Sequence, residues 1–145
     1  MRPASAVTPL TFFIPCELKN YANHGGHWTG KAGYQKRLRE KAHISAREQW
    51  FQIQLNGARP AREVFGSPES PKSISLEAHV WNYFDAHDGL RNACKPLVDG
   101  LVRARVIHSD AHDSGHQFLY TQILDRRQRG VLVTVEPSRA ALEGR

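Results

Sequence analysis

Along this chain the spacing of hydrophobic and polar positions changes several times, and each change predicts an element. Leu10-Thr11-Phe12-Phe13-Ile14 is a short apolar run closed by Pro15, the pattern of a strand. From Lys31 to about Leu55 the apolar residues Tyr34, Leu38, Ala42, Ala46, Trp50 and Ile53 recur at spacings of three and four. That period predicts a long amphipathic helix, ended by Asn56-Gly57. Ile74 to Phe84 is strand-like with imperfect alternation. Leu90 to Arg103 returns to the helical period, with Leu90, Cys94, Leu97 and Leu101 on the buried side and Arg91, Lys95, Asp99 and Arg103 recurring every four residues opposite them. Gln117 to Leu124 alternates, with Phe118, Tyr120 and Gln122 on one face and Leu119, Thr121 and Ile123 on the other. Val131 to Val135 is a β-branched strand, and the charged turn Asp125 to Gly130 predicts that the two form a hairpin.

The order β-α-β-α-β-β predicts an α+β fold: two layers, a mixed β-sheet of about four strands and two helices packed on one face. The 145 residues are read as one domain, 1–145, long enough to bury a single core. Residues 1–9 are expected to be a loose N-terminus, 58–72 (rich in Pro, Gly and Ser) a surface loop, and 137–145 a tail. No internal repeat occurs.

Composition narrows the class. The formal net charge is +6, and six Lys/Arg (Lys31, Lys36, Arg37, Arg39, Lys41, Arg47) face two Glu between Lys31 and Glu48. A basic helix on a basic domain suits a polyanionic partner such as nucleic acid, and equally it is what a solvated helix face looks like. Cys16 and Cys94 stand far apart, outside any CxxC pair, so neither a disulfide framework nor a zinc ribbon is expected; a reducing, cytoplasmic location fits. The apolar run Leu10 to Ile14 is too short for a secretory signal, and no segment has the length to span a bilayer. No Walker A or GxGxxG element supports a nucleotide cofactor.

The candidate chemistry lies in Asp85-Ala86-His87-Asp88-Gly89-Leu90-Arg91-Asn92-Ala93-Cys94-Lys95-Pro96-Leu97-Val98-Asp99-Gly100 and in the later cluster Asp110-Ala111-His112-Asp113. Carboxylates where a strand turns into a helix, with a lysine on that helix, suit phosphodiester hydrolysis. Mg²⁺ (Mn²⁺ as a substitute), held by one or two carboxylates with waters retained, can activate a nucleophile there. Asp88 is equally a good helix N-cap, and Lys95–Asp99 equally an ordinary i,i+4 pair. Asp99 stands roughly 16 Å along the helix from Asp88, too far to share an ion, so it is a supporting or structural residue. Lys95, about 10 Å from Asp88 by the same rise, is expected to point back toward the helix N-terminus. His108, His112 and His116, spaced by four, would form a metal-binding face on a helix, but Asp110, Ser114 and Gly115 argue for a loop. In the loop Asn20 to Gly30, His24, His27 and Trp28 are suited either to a backbone phosphate or to packing under the sheet; Trp28 is read as packing, and Lys31 and Lys36 beyond the loop as phosphate contacts.

The segment D-G-L-R-N-A-C-K-P-L-V-D-G-L, followed by V-I-H-S-D-A-H-D-S and a Y-T-Q strand, resembles the RusA family of Holliday-junction resolvases, whose pattern is roughly D-x-D-N-L-x-x-A-x-K-x-x-x-D-G-L, an acidic pair and a closing hairpin. Asp88 matches the second Asp of that pattern, Leu90 the Leu, Ala93 the Ala, Lys95 the Lys, Asp99 the helical Asp and Gly100 the Gly. Asp110 matches the first of the acidic pair and Asp113 an acidic position just beyond it. The resemblance covers roughly Leu10 to Glu136. It implies a Mg²⁺-dependent homodimer, often phage or prophage encoded, that cuts four-way DNA junctions in recombination and repair. It further implies Asp88, Asp110 and Lys95 as catalytic residues, metal held by Asp88 and Asp110 with Asp85 or Asp113, and DNA held by Arg91, Lys31, Lys36, Arg37 and His27. The chain departs from the pattern at Ala86, Gly89 and Ala111. A branched-DNA-binding protein without cleavage is therefore the rival expectation.

Overall fold

The computed structural model describes residues 9–19, 28–57, 64–84 and 89–138. Six regular elements carry the fold: β1 (Leu10–Pro15), α1 (Trp28–Leu55), β2 (Lys72–Val80), α2 (Gly89–Arg103), β3 (Gln117–Leu124) and β4 (Gly130–Pro137). The four strands make one mixed sheet in the order β1-β4-β2-β3, and both helices pack against it, giving the α+β architecture expected from the sequence.

Alternation decides which face the helices cover. Leu10, Phe12 and Ile14 of β1, Ile74, Leu76, Ala78 and Val80 of β2, and Val131, Val133 and Val135 of β4 are buried, whereas Thr11, Ser75 and Thr134 face the other way. The registers Leu76↔Val133 and Phe12↔Val133 line these rows up across the sheet. They join Tyr34, Leu38, Ala42 and Ala46 of α1 and Leu90, Cys94, Leu97 and Leu101 of α2 in one core. A one-residue slip in any strand would turn its apolar row to solvent, so register and core composition enforce each other.

The expected β3–β4 hairpin does not form. β3 pairs in parallel with β2, and β4 lies antiparallel between β1 and β2. Burial accounts for this order. Val131-Leu-Val-Thr-Val135 has no fully exposed position and suits a central strand, while β3 has no fully buried position and suits an edge. The segment Asp125–Arg129 crosses the end of β2, a span of about 10 Å at the ordinary strand spacing, and Asp125 N–H bonds to Val80 O (3.0 Å) on the way. Parallel pairing of β2 and β3 needs a long crossover, and α2 supplies it.

Other boundaries shift for similar reasons. β2 begins at Lys72 and stops at Val80, two residues before and four residues short of the expected Ile74–Phe84. The expected surface loop 58–72 contributes to the core over its described part: Val64 and Lys72 are buried, Phe65 packs tilted against Trp50 (ring centroids 4.6 Å), and Gly66 bridges to Ile107. Ser138, assigned to the tail, is buried and bonds to Pro71 O at 3.1 Å.

The two helices come into close contact at Gly100. A Cβ built there would stand 2.5 Å from the Arg39 carbonyl oxygen and 2.7 Å from Ala42 Cβ, so only hydrogen fits between the backbones. α2 ends in a Schellman turn: Arg105 N–H bonds to Val102 O (3.0 Å), Val106 N–H bonds to Leu101 O (3.0 Å), and Arg105 holds the left-handed conformation (φ 64°) more usual for glycine. Buried Val106 over buried Leu101 supplies the apolar contact that this turn favours.

Gly100→Ala should destabilise the protein by about 1–3 kcal/mol in urea unfolding, the usual range for overpacking. Gly30→Ala, whose added methyl meets nothing within 4 Å, should be neutral or mildly stabilising.

Candidate phosphodiester site between the second helix and the edge strand

Beyond the Schellman turn the chain is pinned residue by residue. Val106 O accepts a bond from Gly66 N–H (2.7 Å), and Ile107 is fully buried. His108 is then fixed by His116: His116 Nε2 lies 2.9 Å from His108 Nδ1, while His116 Nδ1 accepts the Lys72 amide at 3.0 Å. Because the amide can only donate, His116 Nδ1 is the acceptor and Nε2–H the donor. Gly66 makes room for this ring, since a Cβ there would sit 2.5 Å from His116 Cε1. This pinning sets Asp110 opposite α2.

There Asp110 meets Lys95. The Lys95 ammonium donates to Asp110 Oδ2 and, at 3.0 Å, to Asp99 Oδ1. Lys95 thus pairs with a carboxylate of its own helix, Asp99, and with one from the segment beyond that helix, Asp110. Burial pulls the Lys95 ammonium down, but its hydrogen bonds to Asp110 and Asp99 outweigh that and raise it above the ordinary lysine value. The Lys95 hydrogen bond holds the Asp110 carboxyl below the ordinary aspartate value, against an opposing push from burial. Both charges therefore persist through neutral pH; the pair is lost only as pH falls through the lowered Asp110 value or rises through the raised Lys95 value.

Arg91, Asn92, Lys95, Asp110, Ala111, His112, His116, Phe118 and Tyr120 line an open cleft of about 650 Å³ around this pair. Tyr120 stands beside Arg91, Lys95 and Asp110, its hydroxyl raised chiefly by burial. Pro96, inside α2, withholds the amide that the Asn92 carbonyl would otherwise receive on the cleft's helical wall.

The sequence-derived candidates divide clearly. Lys95, Asp110 and Arg91 converge on the cleft, and Asp99 supports Lys95 from one turn below. Asp113 sits exposed in a 3-10 turn, His112–Ser114, and does not line the cleft. Lys36 and Arg37 are exposed on α1 and Lys31 is half-buried there; none lines the cleft. Asp85, Asp88 and His27 lie outside the described residues. The His108/His112/His116 metal face does not form, because His116 spends both ring nitrogens on Lys72 and His108. Among the described residues no group of three metal-ligating side chains comes together. Of the expected metal ligands, Asp110 is the one among the described residues that lines the cleft, where it is paired with Lys95.

Tyr120 and Asn92 were not among the candidates, and His116 was weighed only as part of the His108/His112/His116 spacing. The alternation of β3 had already put Phe118, Tyr120 and Gln122 on one face; what the sequence lacked was which face α2 would cover. Burial raises both thiols, Cys16 to about 11 and Cys94 to about 12, so neither is a nucleophile at neutral pH. No helix among the described residues is long and apolar enough to cross a membrane. No family model matches the chain, and no curated protein matches its sequence.

Burial, followed by the nearby His108 and Lys72, holds His116 below the ordinary histidine value. The unfolded chain therefore takes up this proton first as pH falls, and stability should drop as pH goes below about 6.5. In thermal melts the wild type should lose stability between about pH 7.5 and about pH 5.5, and His116→Gln should lose less over that interval. An unchanged loss in the variant would assign the dependence to another group.

Proposed function

We propose that the protein is a divalent-metal-dependent, structure-selective endonuclease acting on branched DNA, the four-way junction foremost, in recombination or repair. The observation that carries this reading is the Lys95 ammonium held between Asp110 and Asp99 at the mouth of a polar cleft edged by Arg91. The resemblance of the Asp88–Gly100 and Asp110–Asp113 segments to the RusA resolvases supports the same reading from the sequence side.

In this reading the scissile phosphate enters beside Lys95, whose charge offsets the negative charge that builds in the transition state. Arg91, one helical turn earlier, holds a neighbouring phosphate. Asp99 is a positioning residue that keeps Lys95 aimed at the cleft. Asp88 and Asp110, with Asp85 or Asp113, would hold Mg²⁺ or Mn²⁺, which would supply an activated water and charge neutralisation. A junction presents equivalent strands in pairs, so a homodimer with two such clefts fits it. The basic α1, through Lys31, Lys36 and Arg37, would hold the arms by their phosphates, and a reducing cytoplasm suits the two free cysteines.

A second reading, binding of branched DNA without cleavage, is favoured by Ala111 in the cleft wall and by Lys95 already engaging both nearby carboxylates. The deciding assay uses a labelled four-way junction and a linear duplex with Mg²⁺ and with Mn²⁺. The wild type should cut the junction in preference to the duplex. Lys95→Ala and Asp110→Asn should each slow cutting by about a hundredfold or more. Binding without cutting in either metal would leave only the second reading, and undiminished cutting by Asp110→Asn would remove the assigned site.

A further inference from the structure

At the far end of β2, away from the Lys95 cleft, an exposed tryptophan is surrounded by arginines. Trp81, the residue after β2, is 48% exposed, and the guanidinium carbons of Arg126 and Arg129 lie 4.9 Å and 5.9 Å from its ring centroid. A cleft of about 710 Å³ opens beside it, lined in part by Glu17, Lys19, His79, Tyr83 and Arg129. His79 alternates with buried Ala78 and Val80, so its side chain faces away from the helices.

The arginines are displayed by a built turn. Asp125 Oδ1 accepts the amides of Arg127 (3.0 Å) and Gln128 (3.1 Å), and its Oδ2 lies 3.2 Å from His79 Nδ1. These backbone and side-chain bonds hold the Asp125 carboxyl below its ordinary value, so the carboxylate is committed to the turn. His79 is itself fixed by Glu77 (3.1 Å) and by the edge of Phe13 (ring centroids 5.5 Å). Arg126, Arg127 and Arg129 stand exposed from this anchored base, and the one ion pair they make among the described residues, Arg129 to Glu17 at 3.5 Å, joins two exposed side chains.

We infer that Trp81 with Arg126 and Arg129 is a stacking platform for an unpaired stretch of nucleic acid strand. In the free protein Arg126 and Arg129 lie over the Trp81 ring; an aromatic ring offers a face to any base, and a base takes that face as the guanidinium groups move onto the phosphates on either side. A paired duplex already has its bases stacked on one another and offers the ring no face, so the platform selects single strands. An acidic peptide would answer the charge but leave the ring without a partner. The platform shares with the proposed nuclease only the premise that the partner is a nucleic acid; it uses neither Lys95 nor Asp110.

The test is fluorescence anisotropy of a labelled oligothymidine of about fifteen nucleotides with the full chain and no added metal. Trp81→Ala should weaken its binding about tenfold, the size expected for loss of one stacked base, with affinity for a blunt mixed-sequence duplex unchanged. Trp81→Phe, which keeps a ring, should restore most of the affinity, and this rescue separates stacking from a folding defect. The double variant Arg126→Gln/Arg129→Gln should weaken binding and flatten its salt dependence. Equal oligothymidine affinity for wild type and Trp81→Ala overturns the inference, as does equally effective competition by polyglutamate. Asp110→Asn should retain oligothymidine binding, so a wild type that binds the oligomer but never cuts junctions sinks the nuclease reading alone.

Discussion

Everything around the cleft depends on how closely α2 approaches α1 at Gly100. With only a hydrogen atom between the two backbones, α2 sinks onto Arg39 and Ala42, and its apolar side, Cys94, Leu97 and Leu101, meets the sheet. Asp99 precedes this contact and Lys95 lies one turn before it, so the seating of α2 aims both outward along the same edge. A side chain at position 100 would lift the helix, and the distance from Lys95 to the Asp110 segment would be the first quantity to change. The Gly of the D-G-L segment thus has a packing reason of its own, independent of any chemistry next to it.

The ion pairs at the cleft do little to hold the fold. Exposed pairs of this kind contribute about 0–1 kcal/mol, far less than the apolar layer beneath them. Positioning is done by buried groups: the Schellman turn at Arg105, the Val106–Ile107 segment against Gly66, and the His116 ring between Lys72 and His108. Asp110 therefore arrives at Lys95 on a rigid support, and the charged groups remain available to exchange partners when an anion or a cation enters. Such a division, rigid backing with weakly held charges in front, is what a phosphate site needs.

Much of this was legible in the chain. The helical periods of Tyr34–Leu38–Ala42–Ala46 and Leu90–Cys94–Leu97–Leu101 located both helices, because amphipathic spacing over several turns has few alternative readings. Lys95 and Asp110 were both named from the sequence. Their direct contact was not foreseen, because the helical rise and the usual side-chain direction described Lys95 only relative to its own helix. The pull of a carboxylate fifteen residues later is a tertiary effect. The His108–His112–His116 spacing was legible for the converse reason: a period of four has meaning only on a helix, and Asp110, Ser114 and Gly115 already marked the turn and flanks that these residues occupy.

Local pattern, then, determined the elements, the two-layer class and the residue types on each helix face, since those follow from side-chain period and backbone propensity within a few turns. The order of the strands was decided by the tertiary structure. Short connections usually join neighbouring strands, but β4 is apolar enough to need cover on both sides and β3 is not, so burial overrode chain proximity and put β2 between them. The same choice set β3 parallel to β2, brought Tyr120 to the wall of the cleft, and sent the arginine turn across the end of β2 to Trp81. Both surfaces follow from that one exchange of positions, a competition among strands for the centre of the sheet that no stretch of sequence contains by itself.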